Sequence, residues 1–274
     1  MKLMKKTLFS AALLTVTALL FAACAAAPQT AADETAADLP VLRIGSAIDA
    51  PYFYMGEDGQ YTGLDKAIAD EACRRLGWTP EYTTFTWGNQ NALLTSGAVD
   101  CIWDSYAMNG REDMHRWVGP YLEVPERVVV AADRDIYTLD DLRGKTIAVR
   151  IDSKGEDYFL KEGGSALLDD PKTMLCTFDS TSNAFAYFGK GYADAVLGQG
   201  PSLHTMMDSR TELYRVLEES PMTLRLGVAF AKDGDSEQAD ALQQALDEMK
   251  ADGTIEAIAE TYRIQAEAGA SDGI

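Results

Sequence analysis

The order strand, helix, strand, helix, strand occurs twice along this chain, and both copies enter their third strand through the same short signature. In the first copy Gly97-Ala98-Val99-Asp100 leads into the apolar run Cys101-Ile102-Trp103; in the second Gly191-Tyr192-Ala193-Asp194 leads into Ala195-Val196-Leu197. The first copy begins with Val41–Ser46, which alternates as a strand does. Residues 61–77 place Leu64, Ala67, Ile68, Ala72 and Leu76 on one side of a helix that ends at Gly77. Residues 79–86 form a second strand rich in β-branched and aromatic side chains, 89–96 a short helix and 98–103 the third strand. In the second copy, Thr138 caps a turn ending at Gly144. The strand Thr146–Arg150, a helix at 154–162, a strand at 173–178, a helix at 182–189 and a strand at 193–197 follow. Two helices close the pattern. Residues 236–252 stripe Leu242, Ala245, Leu246 and Met249, and a helix from Thr254 carries Ile255, Ile258, Ala259 and Tyr262. Alternating units of this kind predict an α/β fold with mainly parallel sheets flanked by helices. Ligands in such sheets bind beyond the carboxyl ends of the strands, where the topology switches. Two α/β units facing each other therefore enclose one deep cleft.

With 274 residues, the chain is long enough for one large domain or two small ones, and 47% hydrophobic residues suffice for a proper core. A formal net charge of −19 argues against nucleic acid and against electrostatic adhesion to an anionic membrane surface. Two His and four scattered Cys, without C-x-x-C or H-x-x-x-H, give no metal site. Gly144-Lys145-Thr146 looks like the end of a phosphate loop, but the required earlier Gly is Leu139. Gly198-Gln199-Gly200 is too short for a dinucleotide fingerprint, and there is no G-x-S-x-G. No cofactor and no catalytic residue is assigned, and His115 and His204 read as surface residues.

The amino terminus reads as an address. Residues 1–6 carry three lysines, 7–23 carry no charge, and small residues follow from Ala22 to Ala26. This is the pattern of an export signal; as a membrane span the stretch is short of the ~20 residues required and holds Ser10, Thr15 and Thr17. Leu20-Phe21-Ala22-Ala23-Cys24 resembles a bacterial lipoprotein lipobox, which implies cleavage after residue 23 and lipidation of Cys24. Each buried acyl CH₂ contributes ~0.8 kcal/mol, so two or three chains hold a protein stably at the membrane. Residues 24–40 read as a flexible tether and 265–274 as a polar tail. Of Cys73, Cys101 and Cys176, an odd number, at least one is unpaired. All three read as buried inert thiols, with a disulfide in an oxidising compartment as the alternative.

Several ordered stretches carry a resemblance: Arg43-Ile44-Gly45 to Pro51-Tyr52-Phe53-Tyr54; Gly59-Gln60-Tyr61-Thr62-Gly63-Leu64-Asp65; Ala92 to Asp100; and Arg111 through Gly119-Pro120-Tyr121. Leu139-Asp140-Asp141-Leu142-Arg143-Gly144-Lys145 and Met249-Lys250-Ala251-Asp252-Gly253-Thr254-Ile255 complete the set. Over residues 41–264 the chain resembles the extracellular solute-binding proteins of amino-acid ABC transporters, of the family 3 type. The resemblance implies a two-lobed, periplasmic-binding-protein-like fold of type II. Lobe 1 is discontinuous, 41–125 plus 226–264, and lobe 2 spans 126–225, joined by crossing strands near 124–131 and 222–230. It further implies a monomeric, lipid-anchored protein on the extracytoplasmic face of the cell membrane. Such a protein binds an amino acid or related small carboxylate, closes by hinge motion and delivers its ligand to the transporter's membrane subunits. Two alternatives use the same fold: a cyclohexadienyl- or arogenate-dehydratase-like enzyme, and a ligand-sensing partner of a membrane receptor. Fold alone does not choose among them.

The resemblance also implies binding residues. Arg111 follows the third strand, where the family grips the ligand's α-carboxylate; a guanidinium suits this because its planar fork donates two parallel hydrogen bonds. Its other reading is a surface Arg paired to a neighbouring acid. Ala107 stands where the family commonly has Ser or Thr. Ser153 corresponds to a carboxylate donor and equally to a helix N-cap, with Asp152 in place of a common Gly. Trp87, Tyr52 and Tyr54 are candidate aromatic walls, or ordinary packing. Gln199 stands where the family usually has the Asp that pairs with the ligand's ammonium, and a neutral amide serves a desolvated cation less well. Asp104, at the end of the third strand, is the nearest candidate replacement, its other reading being a solvated loop acid.

Overall fold

The computed structural model describes residues 39–262. The export signal at 1–23, lipidation at Cys24, nearly all of the tether at 24–40 and the polar tail at 265–274 lie outside the described residues. The elements in order are β1 (Val41–Ser46), the short pair β2 (Tyr54–Met55) and β3 (Tyr61–Thr62), α1 (Leu64–Leu76), β4 (Thr79–Thr84), α2 (Gln90–Thr95), β5 (Cys101–Ala107) and the long β6 (Arg116–Ala131). Then come β7 (Thr146–Arg150), α3 (Lys154–Lys161), β8 (Met174–Phe178), α4 (Thr181–Gly189), β9 (Ala195–Gln199), α5 (Gly200–Met207), β10 (Tyr214–Val216), β11 (Thr223–Phe230), α6 (Ser236–Ala251) and α7 (Thr254–Thr261).

Strand order is β4-β1-β5-β11-β6-β9-β7-β8, with β10 beside β6. β4, β1 and β5 are parallel, and so are β8, β7 and β9, as helical crossovers require. The two parallel triplets meet through β6. Its residues from Arg116 to Pro125 pair antiparallel with β11, and those from Glu126 to Val130 pair with β9. The strands on the β4 side form the first half of the molecule and those on the β8 side the second half; Glu126 sits at the changeover.

Each half has its own core. In the first, Leu42, Ile44, Ile68 and Trp103 pack with Leu242, Leu246, Met249 and Ile255 of the closing helices. In the second, alternate residues of one strand feed opposite faces: Val128 and Val130 join Ile147 and Phe159, while Val129 joins Ala148, Phe185 and Phe188. This two-sided burial explains the unbroken apolar run in β6, since each fully buried aliphatic side chain contributes roughly 1.5–3 kcal/mol.

The repeated Gly-x-x-Asp signature is one device used twice. The Asp100 N–H donates to the Arg43 carbonyl at 2.8 Å while its carboxylate accepts the Arg43 N–H, also at 2.8 Å. Likewise the Asp194 N–H donates to the Thr146 carbonyl at 2.8 Å and its carboxylate accepts the Thr146 N–H at 2.9 Å. Each Asp thus ties the third strand to the first before regular pairing begins. For that reason the third strands start at Cys101 and Ala195, later than the sequence pattern predicts. α1 also starts later, at Leu64, because Tyr61 and Thr62 belong to the β2–β3 pair. Gly63 makes that entry possible. At φ 127° it lies so close to Tyr52 that a Cβ would sit 2.1 Å from the Tyr52 carbonyl oxygen.

Cys73, Cys101 and Cys176 are all free, the first two buried. His204 is exposed, but His115 is not the surface residue its sequence context predicts. It is 8% exposed, enclosed by Tyr106 and Trp117, because the chain after Arg111 turns inward to start β6. No helix among the described residues is long and apolar enough to cross a membrane.

Candidate functional site

A cavity with about 360 Å³ of atom-free space, part of it open to solvent, lies where the halves face each other. The first half lines it with Trp87, Tyr106, Ala107 and Arg111, and the second with Arg150, Ser153, Lys154, Thr181 and Gln199. Glu126 enters from the changeover in β6. These positions cluster at the carboxyl ends of β5, β7 and β9, where a parallel sheet leaves its crevice.

Two reciprocal hydrogen bonds cross the cleft. Arg111 Nη2 donates to the Asp152 carbonyl at 2.8 Å, and Gln199 Nε2 donates to the Ser105 carbonyl at 2.9 Å. Both acceptors belong to non-glycine residues in the left-handed region, Ser105 at φ 46° and Asp152 at φ 53°. Such a conformation costs about 1–2 kcal/mol and is held by its surroundings. Beneath Ser105 those surroundings are explicit. Asp65 of α1 accepts the Ser105 N–H at 2.5 Å and the Tyr121 hydroxyl at 2.7 Å. At Asp152, the Glu156 carboxylate accepts its N–H at 2.8 Å.

The charged groups are mostly buried. Asp49, Asp65, Asp104 and Glu126 are all under 9% exposed. Burial pushes Asp49 up to about 6, Asp65 and Glu126 up to about 7, and Asp104 well above the usual carboxylate range. Arg150 opposes this at Asp49, Asp104 and Glu126 by its positive charge. Its guanidinium carbon stands 4.3 Å from the centroid of the Trp87 ring. Arg111 lies over Tyr106 at 5.3 Å, and the two rings meet edge-on with centroids 5.2 Å apart. The Lys154 ammonium turns away to Glu162 at 2.8 Å and Asp157 at 3.2 Å. Burial, and then Arg111, hold His115 below its ordinary range.

Two of the lining residues carry a buried acceptor without a partner, Gln199 at Oε1 and Glu126 at Oε2. An orphaned buried acceptor costs about 1–3 kcal/mol until a donor arrives. The lining therefore combines a guanidinium at Arg111 with unpartnered acceptors on Gln199 and Glu126.

Of the residues named from the sequence, Arg111, Trp87, Ser153 and Gln199 line this cavity. The Ser153 hydroxyl accepts the Glu156 N–H at 3.1 Å and donates to the Arg150 carbonyl at 2.6 Å, so it caps α3. Tyr52 lies fully buried in the core of the first half, and Tyr54 is half-buried on β2; neither is among the lining residues. Asp104 is buried rather than a solvated loop acid. It accepts the Ala47 N–H at 2.9 Å, leaves Oδ2 without a partner, and is not among the lining residues. Sequence reasoning missed Glu126, Arg150 and Tyr106. Glu126 carried a signal, an acid inside an apolar crossing strand. So did Arg150, a charge at the carboxyl end of a parallel strand.

Residues 42–265 match the family described as bacterial extracellular solute-binding proteins, family 3. The chain is 25% identical over 235 residues to the "Probable amino-acid-binding protein YxeM" of Bacillus subtilis (strain 168), covering 81% of this chain and 83% of that one. It is 28% identical over 230 residues to the glutamate-binding protein GluB of Corynebacterium efficiens, covering 78% and 75%. Among solved structures it is similar to Tv2483 bound to L-arginine, with a TM-score of 0.74 at 26% identity, covering 82% of this chain and 91% of that one. With a two-half α/β frame, a cavity at the strand ends and a match over nearly all described residues, the chain belongs to the bacterial extracellular solute-binding proteins of family 3.

Proposed function

We propose that the protein is the substrate-binding component of an ABC importer, capturing an amino acid or related small carboxylate between its two halves and delivering it by hinge closure. One observation carries this reading: the cavity offers donors at Arg111 beside the unpartnered acceptors Gln199 Oε1 and Glu126 Oε2, the complement of a zwitterion. Arg111 takes the α-carboxylate and the two acceptors take the α-ammonium, so the acid expected at position 199 is supplied by Glu126 from the crossing strand. Ser153 contributes mainly by fixing the α3 terminus beside that carboxylate. The amino-acid names of the relatives agree with this assignment. Lobe 1 comprises 41–125 plus 226–264 and lobe 2 comprises 126–225. The protein is a monomer held through lipidated Cys24 on the extracytoplasmic face of the cell membrane, and binding shifts the population toward the closed form recognised by the membrane subunits.

The test is a thermal-shift screen of the full chain against the amino acids and small carboxylates. A ligand at ~100 times its dissociation constant adds ~2.7 kcal/mol, which at this size means roughly 5–10 °C. A shift with at least one amino acid is expected; no shift with any of them contradicts the reading. The dehydratase alternative rests on the buried Glu126 carboxyl among the lining residues, which burial pushes toward the protonated form a general acid needs. Turnover of prephenate or arogenate, abolished by Glu126→Gln, would establish that alternative.

A further inference from the structure

Arg150 ends β7 in the second half, yet its guanidinium stacks on Trp87 of the first, 4.3 Å from the ring centroid. The nearest carboxylate, Asp49, stands 4.0 Å away, beyond hydrogen-bonding distance. Asp49 also receives the Ser202 hydroxyl at 3.4 Å and is not among the residues that line the cavity. Among the described residues, the Arg150 guanidinium donates no hydrogen bond, so its donor fork remains unused. Glu126 is the lining carboxylate, already assigned to the ligand's ammonium, and Lys154 is paired along its own helix. Two guanidiniums therefore share one aromatic platform, Arg111 over Tyr106 and Arg150 over Trp87. Arg111 also serves the carbonyls of Ala107 and Asp152, whereas the Arg150 fork serves none.

A tryptophan face is the natural seat for a cationic side chain, and here that seat is filled from within. A second cation beside Arg150 meets like-charge repulsion in a poorly solvated space, whereas a carboxylate meets a fork shaped for bidentate pairing. We infer that Arg150 determines specificity in this cavity, rejecting amino acids with cationic side chains and selecting those that carry a second carboxylate. The inference rests on the amino-acid reading above and assigns the ligand's class within it.

Calorimetric titration of the full chain with L-glutamate, L-aspartate, L-glutamine, L-lysine and L-arginine tests it. The wild type binds an acidic amino acid at least ~100-fold tighter than either cationic one. Arg150→Gln narrows that ratio by about tenfold or more, with folding checked by circular dichroism. Equal or tighter binding of lysine or arginine by the wild type overturns the inference while leaving the amino-acid reading intact. So does tightest binding of glutamine, or an unchanged ratio in a folded Arg150→Gln. The wild-type ranking decides on its own if the variant fails to fold. Binding of none of the five amino acids overturns it too, and loss of the thermal-shift response to every other amino acid would then remove the reading beneath it.

Discussion

The two halves meet as equals in geometry and differ in the charges they bury. Each presents the carbonyl of one left-handed residue, Ser105 or Asp152, and each sends one side chain, Arg111 or Gln199, to the other's carbonyl. The first half buries Asp49, Asp65 and Asp104 outside the lining and lines the cavity with Arg111, whereas the second lines it with Arg150 and Lys154, with Glu126 from the changeover strand. The matched hydrogen bonds set how the halves meet, and the charges that line the cavity set what fits between them. The contrast extends to the repeated Asp signature. Asp100 is also gripped by the Arg43 side chain, while the Arg134 guanidinium stays 3.9 Å from Asp194.

The equivalence of the two halves is most sensitive to Gly63. Gly63→Ala forces a methyl into the Tyr52 carbonyl and displaces Asp65, the support of Ser105, on the first half alone. The expected loss is about 3 kcal/mol or more, a fall in Tm of roughly 10 °C, read by thermal denaturation. An intermediate effect comes from the buried acids. Glu126 has a folded pKa of about 7, raised by burial above its unfolded value, so the folded state binds the extra proton. Its contribution is fully present below the unfolded pKa, roughly 4.3, and is lost as pH rises through about 7. Asp65 and Asp49 act in the same direction. The ligand-free protein is therefore more stable at pH 5 than at pH 8, and Glu126→Gln reduces that difference by about 1–3 kcal/mol in urea titrations at the two pH values. The smallest effect sharpens the symmetry. Asp152→Gly relieves left-handed strain at an exposed residue and stabilises by about 0.5–1 kcal/mol in chemical denaturation.

The alternation of strands and helices was legible because burial on one or both faces of each element writes its period into the chain. The ends of elements were less so, since Asp100 and Asp194 use backbone groups that the pattern credits to strands. Arg111, Trp87, Ser153 and Gln199 were legible through the family resemblance, which assigns binding roles to their positions. The motif residues Gly63, Asp65 and Tyr121 were visible, but their convergence beneath Ser105 depends on contacts across 40 and 56 residues of sequence. Glu126 and Arg150 were missed for a related reason. Each reads locally as a strand residue, and only the meeting of the two halves turns both into the cavity.

Calorimetry on the full chain, wild type against Arg111→Ala with each of the twenty amino acids, decides whether Arg111 holds an amino-acid ligand between the halves. The wild type binds at least one of them, and Arg111→Ala, still folded, weakens that binding by about 100-fold or more. Binding of the same amino acid with unchanged affinity in Arg111→Ala would contradict that role of Arg111.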